Sequence, residues 1–218
     1  GAPVGLLGIE PHTRRRNRMN GVVTERGAAG FSVAVSQSFG NCPKYIQARR
    51  PEFVPGTGAA TKVQRSAGLD TAARRLIAQA DTFFIATAHP QADAVSPSLG
   101  VDVSHRGGKP GFVQVEGDTL TVPDFAGNNF FNTLGNLALN PRCGLLFIDF
   151  ETGDLLQLAA RGAIETDGEA LHSFAGAQRL LRLQVLSGLR REAASHLRFG
   201  PAELSPHLQA TGAWNRVR

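Results

Sequence analysis

A chain of 218 residues, 42% of them hydrophobic, can bury one sizeable core or two small ones. No stretch reaches the roughly 18 consecutive apolar residues that span a bilayer. The opening Gly1-Ala-Pro-Val has neither initiator Met nor basic leader, so no signal peptide is expected. The formal net charge of +5 is carried mostly by Arg; it fits compositional bias, and it fits phosphate binding by planar guanidinium groups.

In chain order, strands are predicted at Val4–Ile9, Arg18–Glu25 and Gly30–Gln37. A short helix is predicted from Pro43 to Gln47, capped near Asn41 or Cys42. Arg49 to Gly68, rich in Pro, Gly, Thr and Ala, reads as a linker. Asp70 caps a predicted helix through Ala80, with Leu69, Ala73, Leu76, Ile77 and Ala80 on one face. Strands follow at Phe83–Thr87, Gly100–His105, Pro110–Glu116 and Thr119–Val122, the last two joined by a Gly117-Asp118 hairpin. Asn128 to Leu139 is predicted helical and stops at Asn140-Pro141. Strands Cys143–Phe150, Leu155–Glu165 and Arg179–Ser187 complete a mainly β pattern, which points to a closed or partly closed barrel with short helices.

One segment recurs. Gly5-Leu-Leu-Gly-Ile-Glu-Pro-His-Thr13 matches Gly144-Leu-Leu-Phe-Ile-Asp-Phe-Glu-Thr152 at five of nine positions, and a Gly (Gly21, Gly162) follows each. Two unrelated hairpins could coincide in this way, but the common order of strand, turn Thr and Gly favours repetition. The second copy is preceded by a long segment and the first is not, so the expected organisation is tandem. Residues 1–50 form the C-terminal half of a first module, 51–68 a linker and 69–218 a complete module.

Four constellations carry candidate chemistry. Val103, Ser104, His105 and Arg106 crowd the end of a strand before Gly107-Gly108. They suit a phosphate or a polar ring edge, and they suit a solvated hairpin tip equally well. Asp124, Gly127, Asn128, Asn129 and Asn132 gather at a predicted helix start, where free N–H groups favour an anion. One Asn there is a cap; the cluster exceeds what capping needs. Arg14, Arg16, Arg18 and Asn20 lie in a basic run whose alternation sends the three arginines to one side. A solvated face and a nucleic-acid patch are the competing readings, the latter disfavoured by one Tyr and one Trp. Gln37, Ser38 and Lys44 flank a turn beside Tyr45. Cys42 and Cys143 match no zinc or redox spacing and read as free thiols of a reducing cytoplasm. Dinucleotide, zinc-protease and serine-hydrolase motifs are missing from the sequence, and no metal site is expected.

Together, Phe83-Phe-Ile-Ala-Thr87, Asp102-Val-Ser-His-Arg-Gly-Gly-Lys-Pro-Gly-Phe-Val113, Val122-Pro-Asp-Phe-Ala-Gly-Asn-Asn129 and Asn140-Pro-Arg-Cys-Gly-Leu-Leu-Phe-Ile148 resemble the pyridoxamine-phosphate-oxidase-related FMN-binding split β-barrels. Gln37-Ser-Phe-Gly-Asn-Cys-Pro-Lys44 resembles a C-terminal segment of one branch of that family. The resemblance implies FMN as cofactor, bound across a homodimer interface or, with tandem modules, within an intrachain pseudo-dimer. Its phosphate would meet Ser104–Arg106 and Asn128–Asn132. Gln157, five residues before Gly162, stands where such proteins carry a flavin-contacting Gln, and Arg16 holds the corresponding place before Gly21. True pyridoxamine-phosphate oxidases carry an Arg-Lys pair where this chain has Asn128 and Asn129, and a substrate-binding tail not recognisable in Gly200 to Arg218. The expectation is therefore a cytoplasmic FMN oxidoreductase using a small-molecule substrate or electron donor, with no nucleic-acid or membrane partner and no catalytic residue assigned. The alternative is a non-catalytic protein binding or storing flavin, haem or deazaflavin.

Overall fold

The computed structural model describes residues 1–40, 42–55, 62–92, 99–127 and 129–214. Its strands, in chain order, are β1 (Pro3–Glu10), β2 (Arg15–Gly27), β3 (Gly30–Gly40), β4 (Pro51–Phe53) and β5 (Val63–Ser66). After helix α1 (Thr71–Gln79) come β6 (Thr82–Ala88), β7 (Val101–Gly107), β8 (Gln114–Glu116) and β9 (Thr119–Phe125). Helix α2 (Asn132–Leu139) leads to β10 (Arg142–Ile148) and β11 (Leu155–Glu165), and α3 (Glu169–Ser173) to β12 (Ala177–Arg191) and β13 (Leu197–Phe199).

One antiparallel sheet runs β7-β6-β10-β11-β12-β9-β8, with β5 added alongside β12. Strict alternation on β11 turns Leu156, Leu158 and Ala160 inward and leaves Gln157, Ala159 and Arg161 outside. The curved sheet closes over Phe83, Phe147, Leu120 and Leu183, all fully buried, with the Phe83 and Phe147 rings stacked 5.1 Å apart. Helix α1 covers one end. The Asp70 side chain caps it by accepting from the Ala73 N–H at 2.7 Å, and Leu69, Ala73 and Ile77 face the core. Burying each such aliphatic side chain stabilises the fold by roughly 1.5–3 kcal/mol.

Strands β1, β2 and β3 form a separate three-stranded sheet. Leu7 pairs with Arg18 as Leu146 pairs with Gln157. The register slips at Asn20/Gly21 against β3, and it slips at Ala159/Ala160 against β12. The sequence repeat is thus also a repeat of register and bulge. It moves one assignment: by strand pairing the counterpart of Gln157 is Arg18, two residues beyond the Arg16 obtained by counting back from glycine. The small sheet packs β1 across β7.

Several expected elements differ. Residues Pro43–Gln47 form a turn, because Tyr45 adopts φ 65° and only the Ile46 N–H reaches back, to Pro43 O. The predicted Asn41 cap lies outside the described residues. The linker contributes two strands, β4 paired with β13 and β5 paired with β12. The strand expected over Pro110–Glu116 shrinks to Gln114–Glu116. Helix α2 starts at Asn132, one turn later than expected, because Asn129 (φ 59°) and Phe131 (φ 53°) are left-handed and cannot belong to a right-handed helix. The C-terminal tail closes over the 42–48 segment, where Gln47 accepts from the Ser205 N–H at 2.8 Å, and over the connection from β7 to β8, where Trp214 donates to Phe112 O at 2.7 Å. Among the described residues no helix is long and apolar enough to cross a membrane.

Candidate functional site

A cleft of about 120 Å³, open to solvent, lies between the small sheet and the barrel. β7 forms its floor. Period-two alternation puts Asp102, Ser104 and Arg106 on one face of that strand, and all three find charged or hydroxyl partners there. Asp102, 3% exposed, takes an ion pair from Arg18 of β2. It also accepts from Ser104 Oγ at 3.1 Å and from Thr133 Oγ1 of α2 at 2.7 Å. The other end of the Arg18 guanidinium donates to Ser104 Oγ at 2.6 Å. A buried polar knot therefore ties β2, β7 and α2 together.

Arg106 is ion-paired with Asp124 of β9, whose second oxygen accepts from Arg179 of β12 at 2.9 Å. Arg179 in turn lies 5.0 Å over the Phe131 ring, within cation–π range. Arg16 is less committed. Its terminal nitrogen makes one long contact, 3.5 Å to His105 O, and its Nε is buried without an acceptor, as are those of Arg18 and Arg106. Burial, then the charges of Arg18 and Arg106, bring the Arg16 pKa down to about 10. Burial lowers that of Arg18 too, against the pull of Asp102. His105 sits beneath these cations; burial first, then Arg16, Arg106 and Arg49, push it down to about 3. Its ring is neutral near pH 7.

On the remaining walls, Lys44 and Tyr45 come from the turn after β3, and Tyr45 donates to Ala126 O at 3.1 Å. Gly127, Asn129 and Asn132 line the mouth. Helix α2 begins there with no side-chain cap, so its first-turn N–H groups are open to an acceptor. Thus the cleft gathers Arg16, Arg18, Lys44, Ser104, His105 and Arg106, and with them Asp124, Gly127, Asn129 and Asn132.

Other candidates lie elsewhere. Arg14, in the turn before β2, donates to Ile46 O at 3.1 Å and pairs with Glu203 at 2.8 Å. Its alternation with Arg16 and Arg18 fails because it is left-handed, at φ 57°, and not in a strand. Asn20 donates to Gln37 at 3.2 Å; neither lines the cleft, nor does Ser38, exposed on β3. Val103 lines a shallow groove beside Gly5. Gln157 is exposed on β11 near Arg65 and Ser187. Asn128 lies outside the described residues. Sequence reasoning did not single out Arg179 or Thr133: an Arg opening an apolar strand and a Thr in a helical first turn look ordinary until their partners are known.

The sequence profile described as pyridoxamine 5'-phosphate oxidase matches residues 69–197, more than half of the chain. The chain belongs to that family. Its members share the flavin-binding type of split barrel, and the mainly β fold of this chain agrees. No curated protein matches the chain. Among solved structures, a Lactobacillus delbrueckii protein provisionally named a pyridoxamine 5'-phosphate oxidase is 13% identical, with TM-score 0.43, covering 56% of this chain and 94% of its own. HupZ of Group A Streptococcus is 13% identical, with TM-score 0.40, covering 54% and 89%. A conserved hypothetical protein of Mycobacterium tuberculosis is 14% identical, with TM-score 0.35, covering 62% and 88%. These superpositions are loose, and family membership rests on the sequence match.

Proposed function

We propose that this family member is a cytoplasmic FMN-binding oxidoreductase that seats the FMN phosphate in the cleft between β2 and β7. One observation carries the reading: the guanidinium Nε groups of Arg16, Arg18 and Arg106 are all buried without an acceptor in the same cleft. Buried donors are normally satisfied, and a phosphate oxygen suits guanidinium geometry. The uncapped first turn of α2 adds N–H groups of the same polarity. These residues fit a phosphomonoester, and the cations gather at one place, with no glycine fingerprint for a second phosphate, which favours FMN over FAD.

In this reading Arg16 and Arg106 hold the phosphate, while Asp124 steadies Arg106 and Arg179. Neutral His105 supports the floor without adding a further positive charge. Tyr45 and Phe131 border the mouth and limit water there. Bound FMN would supply hydride or electron transfer; no side chain is assigned a proton-transfer step. The two free cysteines suit a reducing compartment. The test is a visible spectrum of the purified or FMN-reconstituted chain, followed by release and chromatography of the cofactor. A flavin spectrum with released FMN is expected; FAD, or no flavin after reconstitution, overturns the proposal.

A further inference from the structure

The geometry points to a division of labour between two neighbouring arginines: Arg16 is the β2 residue that binds the anion, and Arg18 is a positioning residue that pins the small sheet to the barrel, so that one chain completes the cleft. The inference rests on the anion-binding reading above.

Both terminal nitrogens of Arg18 are engaged inside the protein, although its Nε is buried without an acceptor. One is ion-paired with Asp102 and the other donates to Ser104. Both side chains of the ion pair are almost fully buried, at 5% and 1% exposure. Turning Arg18 toward a phosphate would leave the Asp102 carboxylate with only hydroxyl donors in a site closed to water, and an unpaired buried charge is strongly disfavoured. Thr133 donates to the same carboxylate, so the pin also fixes the start of α2. Through it β2, β7 and α2 hold the relative positions that shape the cleft.

Arg16, two residues earlier and therefore on the same face, is in the opposite condition. Its Nε lacks an acceptor as that of Arg18 does, but its terminal nitrogens make only the long contact to His105 O, and no acidic side chain pairs with it among the described residues. It faces Arg106, whose Nε is likewise without acceptor. Two guanidinium groups facing one cleft repel unless an anion lies between them, and the Nε edge is one that takes a carboxylate or phosphate with two parallel bonds. The repeat supports the same division. In strand register Arg18 is the counterpart of Gln157 and Arg16 that of Leu155. Neither counterpart on the other copy carries a guanidinium, so the Arg16–Arg18 pair belongs to the small sheet alone.

The experiment follows arginine Nε–H resonances of the ¹⁵N-labelled full chain as FMN, and separately inorganic phosphate, is titrated in. The Arg16 resonance should move and sharpen, and that of Arg18 should stay in place. Arg16→Gln should weaken FMN binding on the order of 10- to 100-fold, the loss expected for hydrogen bonds to a charged group, with amide exchange in β1 and β2 unaltered. Asp102→Asn separates the models by sign. If Arg18 is a pin, β1 and β2 exchange faster and FMN affinity falls; if Arg18 is a ligand, its release tightens binding. Wild-type affinity in Arg16→Gln, a shift of the Arg18 resonance, or tighter binding in Asp102→Asn overturns the inference. Should the wild-type chain bind phosphate but no flavin, the FMN proposal fails while the phosphate titration still decides between Arg16 and Arg18.

Discussion

His105 shows how one residue is controlled by its surroundings. It lies on β7, 6% exposed, beneath Arg16 and Arg106, and its pKa is pushed to about 3. The folded state therefore favours the neutral ring, while the unfolded chain takes a proton near the usual histidine value of about 6.5. Its contribution to stability is present above that value and is lost as pH falls toward the folded pKa. Between about pH 6.5 and 3 the unfolding free energy should drop by up to about 1.4 kcal/mol per pH unit from this group alone. Urea unfolding at pH 7 and pH 5 measures it, and His105→Gln should flatten the difference. An identical pH slope in that variant would assign the effect to other groups.

Arg106 has two jobs at once. It shares Asp124 with Arg179 and offers its Nε to the cleft. Arg106→Ala should weaken FMN binding by about 1.5–3 kcal/mol. Unlike a hairpin-tip charge, it should also cost folding stability of about 1 kcal/mol or more, because the 5% exposed Asp124 keeps only one cationic partner. Flavin titration and thermal unfolding separate the two effects.

At the scale of elements, local signals succeed where one strong interaction decides. Asp70 precedes the apolar face of α1 and caps it as expected, so Asp70→Ala should cost about 1 kcal/mol in unfolding experiments and leave FMN affinity untouched, since α1 lies away from the cleft. The alternating strands β10 and β11 are where their patterns place them. The second helix is misjudged for a local reason too: Gly127 to Asn129 looks like a helix start, but Asn129 and Phe131 turn left-handed and delay α2 to Asn132. The turn at Lys44–Tyr45 similarly replaces a helix. It is held from outside, by Tyr45 donating to Ala126 O and Gln47 bonded to the tail at Ser205, and no local pattern reports such partners.

For the whole molecule, docking of the first fifty residues on the barrel decides whether a cleft exists. Gly107 ends β7 where a Cβ would fall 1.9 Å from Tyr45 O. Gly107→Ala should push the Lys44–Tyr45 turn away, weakening FMN binding and lowering the melting temperature by a few degrees, as about 1 kcal/mol does in a domain of this size. Gln157 tests the same arrangement from the other side. Exposed on the outer face of β11, it should tolerate Ala with no change in FMN affinity. A large loss in Gln157→Ala would mean that a second chain completes the site, and sedimentation of the flavin-bound form would then report a dimer.

Much of this was decided along the chain. Period-two and helical alternation, the Asp70 cap and the glycine turns specify a mainly β fold, and the Gly-Leu-Leu repeat marks two hairpins of like register. Cationic and Asn-rich segments flag Arg16, Lys44, Ser104–Arg106 and Asn132. What needed tertiary structure was the pairing of charges. Arg14, Arg16 and Arg18 are alike as residue types and close in sequence, yet one meets Glu203, one meets Asp102 and Ser104, and one is left without an acidic partner. Their partners are brought by strands and tails far along the chain, 84 residues away for Asp102 and 189 for Glu203. Periodicity can tell which side of a strand a guanidinium occupies, but only packing tells what it finds there.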